Sequence, residues 1–329
     1  MSTRYSAITR RRFLAASGAG MLAAGVSYPA AAVLAPVRQG YQTNVWGMPT
    51  YYLLRSGHLE KHGIKFEEYA VPSGNLTMQQ MVARQVDMGT YAGPSFIVGH
   101  ARGNLAAIAE IERVGKSIRV MGRKDLNVSK IEQLKGRKVA VQSGASITSI
   151  FTETIVPAHG LKKGDYEEVR MNVTDMVAAL AAKTVDAMVN VEPYNAIAEA
   201  DGIAATIMDY RNVDDLPVFM AATPEFLEQN PDTVVAYLKA WLDVGRDFKE
   251  NAGRVADTIY TFYTTKGYKL SRETFSKVIA TVDVNPRFPA DLKTYMQKQA
   301  EILLNAKQIK AIPDWDKALR PDFLRKAGG

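Results

Sequence analysis

The chain contains no cysteine. That removes disulfides, thiolate metal sites, a cysteine nucleophile and a lipidated N-terminal cysteine. Histidine is scarce, with four residues among 329. His58 and His62 are four apart on a possible helix, but the Glu in His58-Leu59-Glu60-Lys61-His62 is one place too late for His-Glu-x-x-His, and no third ligand follows; no metal is expected. His100 and His159 have no nucleophile partner in view. A Gly-x-Ser-x-Gly elbow, a phosphate loop ending in Gly-Lys-Ser/Thr and a dinucleotide Gly-x-Gly-x-x-Gly are also missing. Nothing here asks for a catalytic residue or a cofactor. Long apolar runs are absent too, and the greasy stretch at 15–26 falls short of the ~20 residues that span a bilayer.

What is present begins at Thr9-Arg10-Arg11-Arg12-Phe13-Leu14. An arginine pair, a short apolar middle and small residues ending in Ala30-Ala31-Ala32 have the anatomy of a twin-arginine signal peptide. Residues 1–32 are expected to be removed near Ala32, leaving the mature protein in the periplasm. With them go Arg4, Arg10, Arg11 and Arg12, so a net charge of +7 becomes +3. The basicity belongs largely to the signal, and no nucleic-acid partner follows from it. The remainder is long for one core and comfortable for two lobes.

Strand-like and helix-like segments alternate through the first two-thirds, the pattern of α/β architecture. Strands are expected at 37–42, 64–71, 87–90, 105–112 and 117–122, with helices at 50–55, 75–84 and 94–101. A second series has strands at 138–142, 166–171, 185–191, 204–208 and 217–222, with helices at 131–134, 146–159, 173–182 and 194–200. From residue 224 onward the pattern is helical: 224–228, 232–250, 252–264, 271–280 and 291–306. The two series repeat one feature. Ala83-Arg84 precedes Gln85-Val86-Asp87-Met88-Gly89, and Ala182-Lys183 precedes Thr184-Val185-Asp186-Ala187-Met188-Val189. Two similar lobes facing across a cleft would produce that echo.

Five segments in order carry a resemblance: Trp46 to Leu53, Leu59 to Phe66, Asp87 to Thr90, Leu134 to Val141, and Val185-Asp186-Ala187-Met188-Val189-Asn190-Val191-Glu192-Pro193-Tyr194. Together they resemble the substrate-binding proteins of ABC importers, in particular the nitrate, sulfonate and taurine family. The resemblance covers residues 37–222; the helical remainder agrees in character only. It implies a type II periplasmic-binding-protein fold, two lobes each with a central mixed sheet flanked by helices, the chain crossing between them twice. We place the crossings at 121–124 and 215–219. Lobe one is then 36–122 plus 219–329, and lobe two 123–218.

Polar helix starts at strand ends are the candidate binding elements. Ser143-Gly144-Ala145-Ser146 follows a buried strand; its free amides and the positive end of the helix dipole suit an oxyanion, with Thr148 adding a hydroxyl. Ser73-Gly74-Asn75 opens a helix of lobe one similarly. Tyr91 to Ser95 does so again, with Pro94 in the first turn, where its missing N–H is harmless. Each alone reads equally as a capping turn. Tyr41, Trp46, Tyr91, Tyr194 and Phe219 lie at strand ends and could sandwich a ligand's apolar body, flanked by Gln42 and Asn44. Glu192, if it faced the cleft, would favour a ligand that also carries an amine.

The expected function is capture of a small organic anion or zwitterion (a sulfonate, a taurine-like compound or a carboxylate) by a monomer that hands it to an ABC permease of the inner membrane, without chemistry. The alternatives are an enzyme of the same fold related to thiamine-pyrimidine synthesis, for which a cleft histidine would speak, and an exported ligand sensor.

Overall fold

The computed structural model describes residues 34–329; the expected signal segment lies outside the described residues. Ten strands form two five-stranded sheets. In chain order they are β1 Val37–Gln42, β2 Phe66–Val71, β3 Met88–Ala92, β4 Ala106–Arg113, β5 Ile118–Arg123, β6 Lys138–Val141, β7 Glu167–Arg170, β8 Ala187–Val191, β9 Ala204–Asp209 and β10 Pro217–Ala222. Every strand expected from the sequence is there, most with ends shifted by one or two residues. The possible helix at His58 is there as His58–Lys61, whereas short helices at Trp315–Ala318 and Pro321–Ala327 were not anticipated, since four to seven residues give too little periodicity to detect.

The sheet orders are β2-β1-β3-β10-β4 and β7-β6-β8-β5-β9. In each sheet the first three strands run parallel and the strand beside them runs antiparallel. Because β5 pairs with β8, the chain has already entered the second sheet at Ile118. The first crossing therefore lies at 114–117, earlier than the 121–124 read from sequence. The sequence could not separate these, because a strand leaving one sheet and a strand starting the next have the same apolar pattern. The return crossing runs between β9 and β10, at 210–216.

The echo between Ala83–Asp87 and Ala182–Asp186 has a structural cause. Asp87 Oδ2 accepts the backbone N–H of Arg38 at 3.0 Å, and Asp186 Oδ2 accepts that of Lys138 at 3.0 Å. Each aspartate thereby ties the third strand of its sheet to the start of the first. Arg84 and Lys183, just ahead, both adopt left-handed backbone, with φ of 59° and 60°. Both close a helix end by the same bond to the carbonyl three residues back, Met81 and Leu180, each at 3.0 Å. The two half-molecules are thus built to one plan, in which Arg38 corresponds to Lys138 and Gln42 to Gln142.

Helices cover both faces of the first sheet. On one face Tyr41, Met48, Tyr52 and Ile108 pack with Tyr237, Leu238 and Trp241 of the long helix Pro231–Glu250. On the other, Tyr91, Phe96 and Phe219 pack with Leu292 and Met296 of helix Leu292–Asn305. The second sheet has its own core around Val120, Val139, Val141, Phe151 and Val189, which Val278 of the C-terminal region joins.

Candidate functional site

Parallel strands leave the chain at one edge of a sheet, so the loops after them collect there. In this protein the loops after β1, β2 and β3 meet those after β6, β7 and β8. The space they enclose is lined by Gln42, Asn44, Trp46, Ser73, Gly74, Asn75, Ala92 and Ser95 from the first lobe, and by Gln142, Ala145, Ser146, Ile147, Val173 and Val191 from the second. The cavity is about 20 Å³, about enough for one ordered water. Its two sides differ in character. The first lobe supplies mostly amides and hydroxyls, whereas Ile147, Val173 and Val191 make the second lobe's wall largely apolar. No charged side chain lines it among the described residues.

Three helices begin at this cavity: Gly74–Val82 after Ser73, Gly93–Gly103 after Ala92, and Ser146–Ile150 after Ala145. None has a side-chain cap of its own, so their first-turn N–H groups look elsewhere for acceptors. Gly74 N–H donates to Gln42 Oε1 at 2.7 Å. Ser95 N–H donates to Ser146 Oγ at 3.1 Å, and the two serine hydroxyls bond at 3.1 Å, which joins the lobes. A side chain at position 74 would not fit: its Cβ would stand 2.7 Å from Tyr91 Cβ.

The Gln42 amide is locked by these contacts. Its oxygen takes the Gly74 N–H and also the Asn44 Nδ2–H at 3.2 Å; turned over, it would set N–H against N–H. The Asn44 oxygen in turn accepts from Trp46 N–H at 3.1 Å. Among the described residues, Gln42 Nε2 has no partner although the residue is 1% exposed, and neither has Ser73 Oγ. Buried donors left unpaired cost about 1–3 kcal/mol each. Such a cost is recovered when a ligand brings acceptors.

Of the residues expected at the site, Gln42, Asn44, Trp46, Ser73, Gly74, Asn75, Ser95, Ala145 and Ser146 line the cavity. The others do not. Along β1, side chains alternate between faces, so Tyr41 points away from Gln42 and reaches Glu68 at 3.4 Å. Tyr91 and Phe219 are cross-strand neighbours on the opposite core face, Phe219 tilted against Phe96 at 5.2 Å. The Tyr194 hydroxyl meets that of Tyr268 at 3.2 Å. Thr148 folds back, its hydroxyl donating to Gln142 O at 2.7 Å. Ser143 and Gly144 lie in an outer groove.

Glu192 is the main correction. Its Oε1 pairs with Arg119 at 2.9 Å and its Oε2 accepts Ala196 N–H at 3.0 Å. Burial pushes its carboxyl up, opposed by the Arg119 charge and the Ala196 amide. It closes the start of its own helix and does not line the cavity, so the argument for an amine-bearing ligand loses its basis. Trp46 lines the cavity with its ring, but its N–H is committed to Ser117 Oγ at 2.6 Å. Ala92, Gln142, Ile147, Val173 and Val191 were missed. The internal repeat was a signal for two of them, because Gln142 and Val173 occupy the places of Gln42 and Ser73.

This arrangement sits within a segment, residues 44–248, that matches the family model described as NMT1/THI5 like. The chain belongs to the NMT1/THI5-like family. A binding protein of Brucella abortus is 32% identical over 153 residues, 46% of each chain, so the match spans about half the length of such relatives. A protein of Brachyspira hyodysenteriae named as an ABC transporter periplasmic binding protein is 24% identical over 252 residues, 71% of each chain. The alkanesulfonate-binding protein of Xanthomonas axonopodis pv. citri, solved with MOPS bound, aligns with a TM-score of 0.78 at 16% identity, covering 88% of this chain and 99% of that one. That likeness shows the two-sheet periplasmic-binding-protein fold expected from the sequence.

Proposed function

We propose that this protein is a periplasmic solute receptor that captures a small organic anion, a sulfonate or carboxylate, between its lobes and passes it to an ABC permease. One observation carries the reading: two orphaned buried donors, Gln42 Nε2 and Ser73 Oγ, meet on one uncharged cavity at three helix starts that have no cap residue of their own, two of them borrowing Gln42 and Ser146 as acceptors. A ligand acid group supplies the missing acceptors and lies at the positive ends of the helix dipoles. Its carbon body rests on Ile147, Val173 and Val191, which favours an organic acid over nitrate. With Glu192 turned away, nothing at the cavity asks for an amine. The names of the relatives and the twin-arginine segment support export and a transport partner; cleavage near Ala32 belongs to the same proposal.

Binding rather than catalysis is supported by the whereabouts of the histidines that an enzymatic reading would want in the cleft. His58 and His62 contact Asp247 and Asp243, His100 the Leu105 carbonyl, and His159 Glu132. Titration calorimetry with methane- to butanesulfonate, acetate to butyrate, taurine and nitrate tests the proposal. One-site binding of the organic monoanions, tighter than taurine or nitrate, is expected. Consumption of any compound, or silence from all of them, overturns it.

A further inference from the structure

The inner cavity, about 20 Å³ in this closed arrangement, holds about one water, so a ligand whose acid group and first carbons are seated there must part the lobes slightly, and its far end must run outward. A groove of about 320 Å³ continues from it, sharing Asn75 and Gln142 with the cavity lining. One wall is the first-lobe helix, through Asn75, Leu76 and Gln79. The other is the rim of the second lobe, through Gln142, Ser143, Arg170, Met171 and Asn172. Arg170 is the single charged residue of that lining. It ends β7 opposite Val141 of β6, at the same sheet edge that holds the cavity. The structurally equivalent place in the first lobe, the residue of β2 beside Tyr41, is Ala70. The repeat plan therefore does not require a cation there.

Arg170 is also available. Its side chain is 61% exposed, and its contact with Glu168 is long, at 3.5 Å. Beyond it, the groove opens to a second hollow of about 210 Å³ that shares Ser143 and Arg170 and adds Lys163 together with Glu153 and Glu168, so the favourable charge is that of Arg170 in the groove and not of the outer hollow. Charge is thus absent from the lining of the inner cavity and present in that of the groove beside it.

We infer that Arg170 is a specificity-determining residue for a second acid group, so that the ligand is a short bifunctional organic acid with one oxyanion in the cavity and the other in the groove. This rests on the organic-anion reading above and narrows it. A guanidinium on a partly solvated carboxylate contributes a modest, salt-screened gain.

Matched probes test it: propane-1-sulfonate against 3-sulfopropionate, and butyrate against succinate, each pair differing by a methyl replaced with a carboxylate. Calorimetry is run on the wild type and on Arg170→Gln, whose folding is checked by its melting temperature. The diacids should bind roughly fivefold tighter or better, with the advantage shrinking at high salt. Arg170→Gln should erase that advantage and leave the monoacids unchanged. Monoacids binding as well as diacids, or a diacid advantage that survives Arg170→Gln, overturns the inference while the organic-anion reading stands. Failure of all four probes to bind sinks that reading and this one with it.

Discussion

Gln42 and Gln142 hold equivalent places in the two lobes, yet they are set up differently. Gln142 has its backbone N–H and C=O tied to Thr148, whereas the Gln42 side chain is oriented by Gly74 and Asn44 with its NH₂ left over. Gln42→Glu preserves shape and the acceptor for both neighbours, and replaces the free donor with negative charge. Affinity for an organic monoanion should fall at least about 100-fold, with the melting temperature nearly unchanged. A gain in affinity would instead mean that the ligand presents a cation. Half of the residues misjudged from sequence were aromatic. Tyr41, Tyr91 and Phe219 sit at the right heights along their strands but on the wrong faces, and a one-residue difference in register decides which face a strand side chain takes.

At the scale of elements, the short helix His58–Lys61 is held by what it meets. His58 Nε2 and Tyr52 Oη each contact Asp247 Oδ2 at 2.7 Å, and His62 Nε2 lies 3.1 Å from Asp243 Oδ2. Both aspartates belong to helix Pro231–Glu250. Burial alone pushes the Asp247 carboxyl up; hydrogen bonds from Tyr52, His58 and Asn251 and the Arg254 charge outweigh it and bring it down to about 2. A depressed carboxyl stabilises the fold above its ordinary value near pH 4, and that contribution is lost as pH falls through about 2. Asp247→Ala should cost about 2–3 kcal/mol at pH 7, lowering the melting temperature by roughly 5 °C or more. Calorimetric scans should show wild type and variant converging towards pH 2. A constant gap between them would show that the carboxylate's charge is not what binds these helices.

Across the whole molecule, the lobes also touch through residues that do not line the cavity. Tyr268, in the C-terminal helical region, bonds Tyr194 of the second lobe, Gln308 Nε2 reaches Ser149 Oγ at 3.4 Å, and Val45 N–H donates to the Glu192 carbonyl at 3.0 Å. Each such bond favours the closed arrangement, to which a bridging ligand also adds. Tyr268→Phe removes one of them without touching the cavity. The dissociation constant should rise about two- to fivefold through the smaller closed population, and the ligand-free protein should have a larger radius of gyration in solution scattering. Unchanged affinity and radius would mean that this contact persists in both arrangements.

The order of the ten strands, the helical character of the C-terminal third and the echo of Asp87 in Asp186 could all be read along the chain. The strands and helices rest on local rules, alternation and helix periodicity; the echo shows as a repeated sequence pattern, although the bonds its aspartates make, to Arg38 and Lys138, are long-range. Polar helix starts were also legible, because a helix opening leaves donors wherever it occurs. Which of those starts share one space was decided only in three dimensions. The sheet that claims β5, the face that takes Tyr91, and the capture of Glu192 by Arg119 all depend on partners distant in the chain. So does the pairing of an amide-rich wall with an apolar one, since each half of the cavity is supplied by a different lobe and neither half contains the instruction for the other.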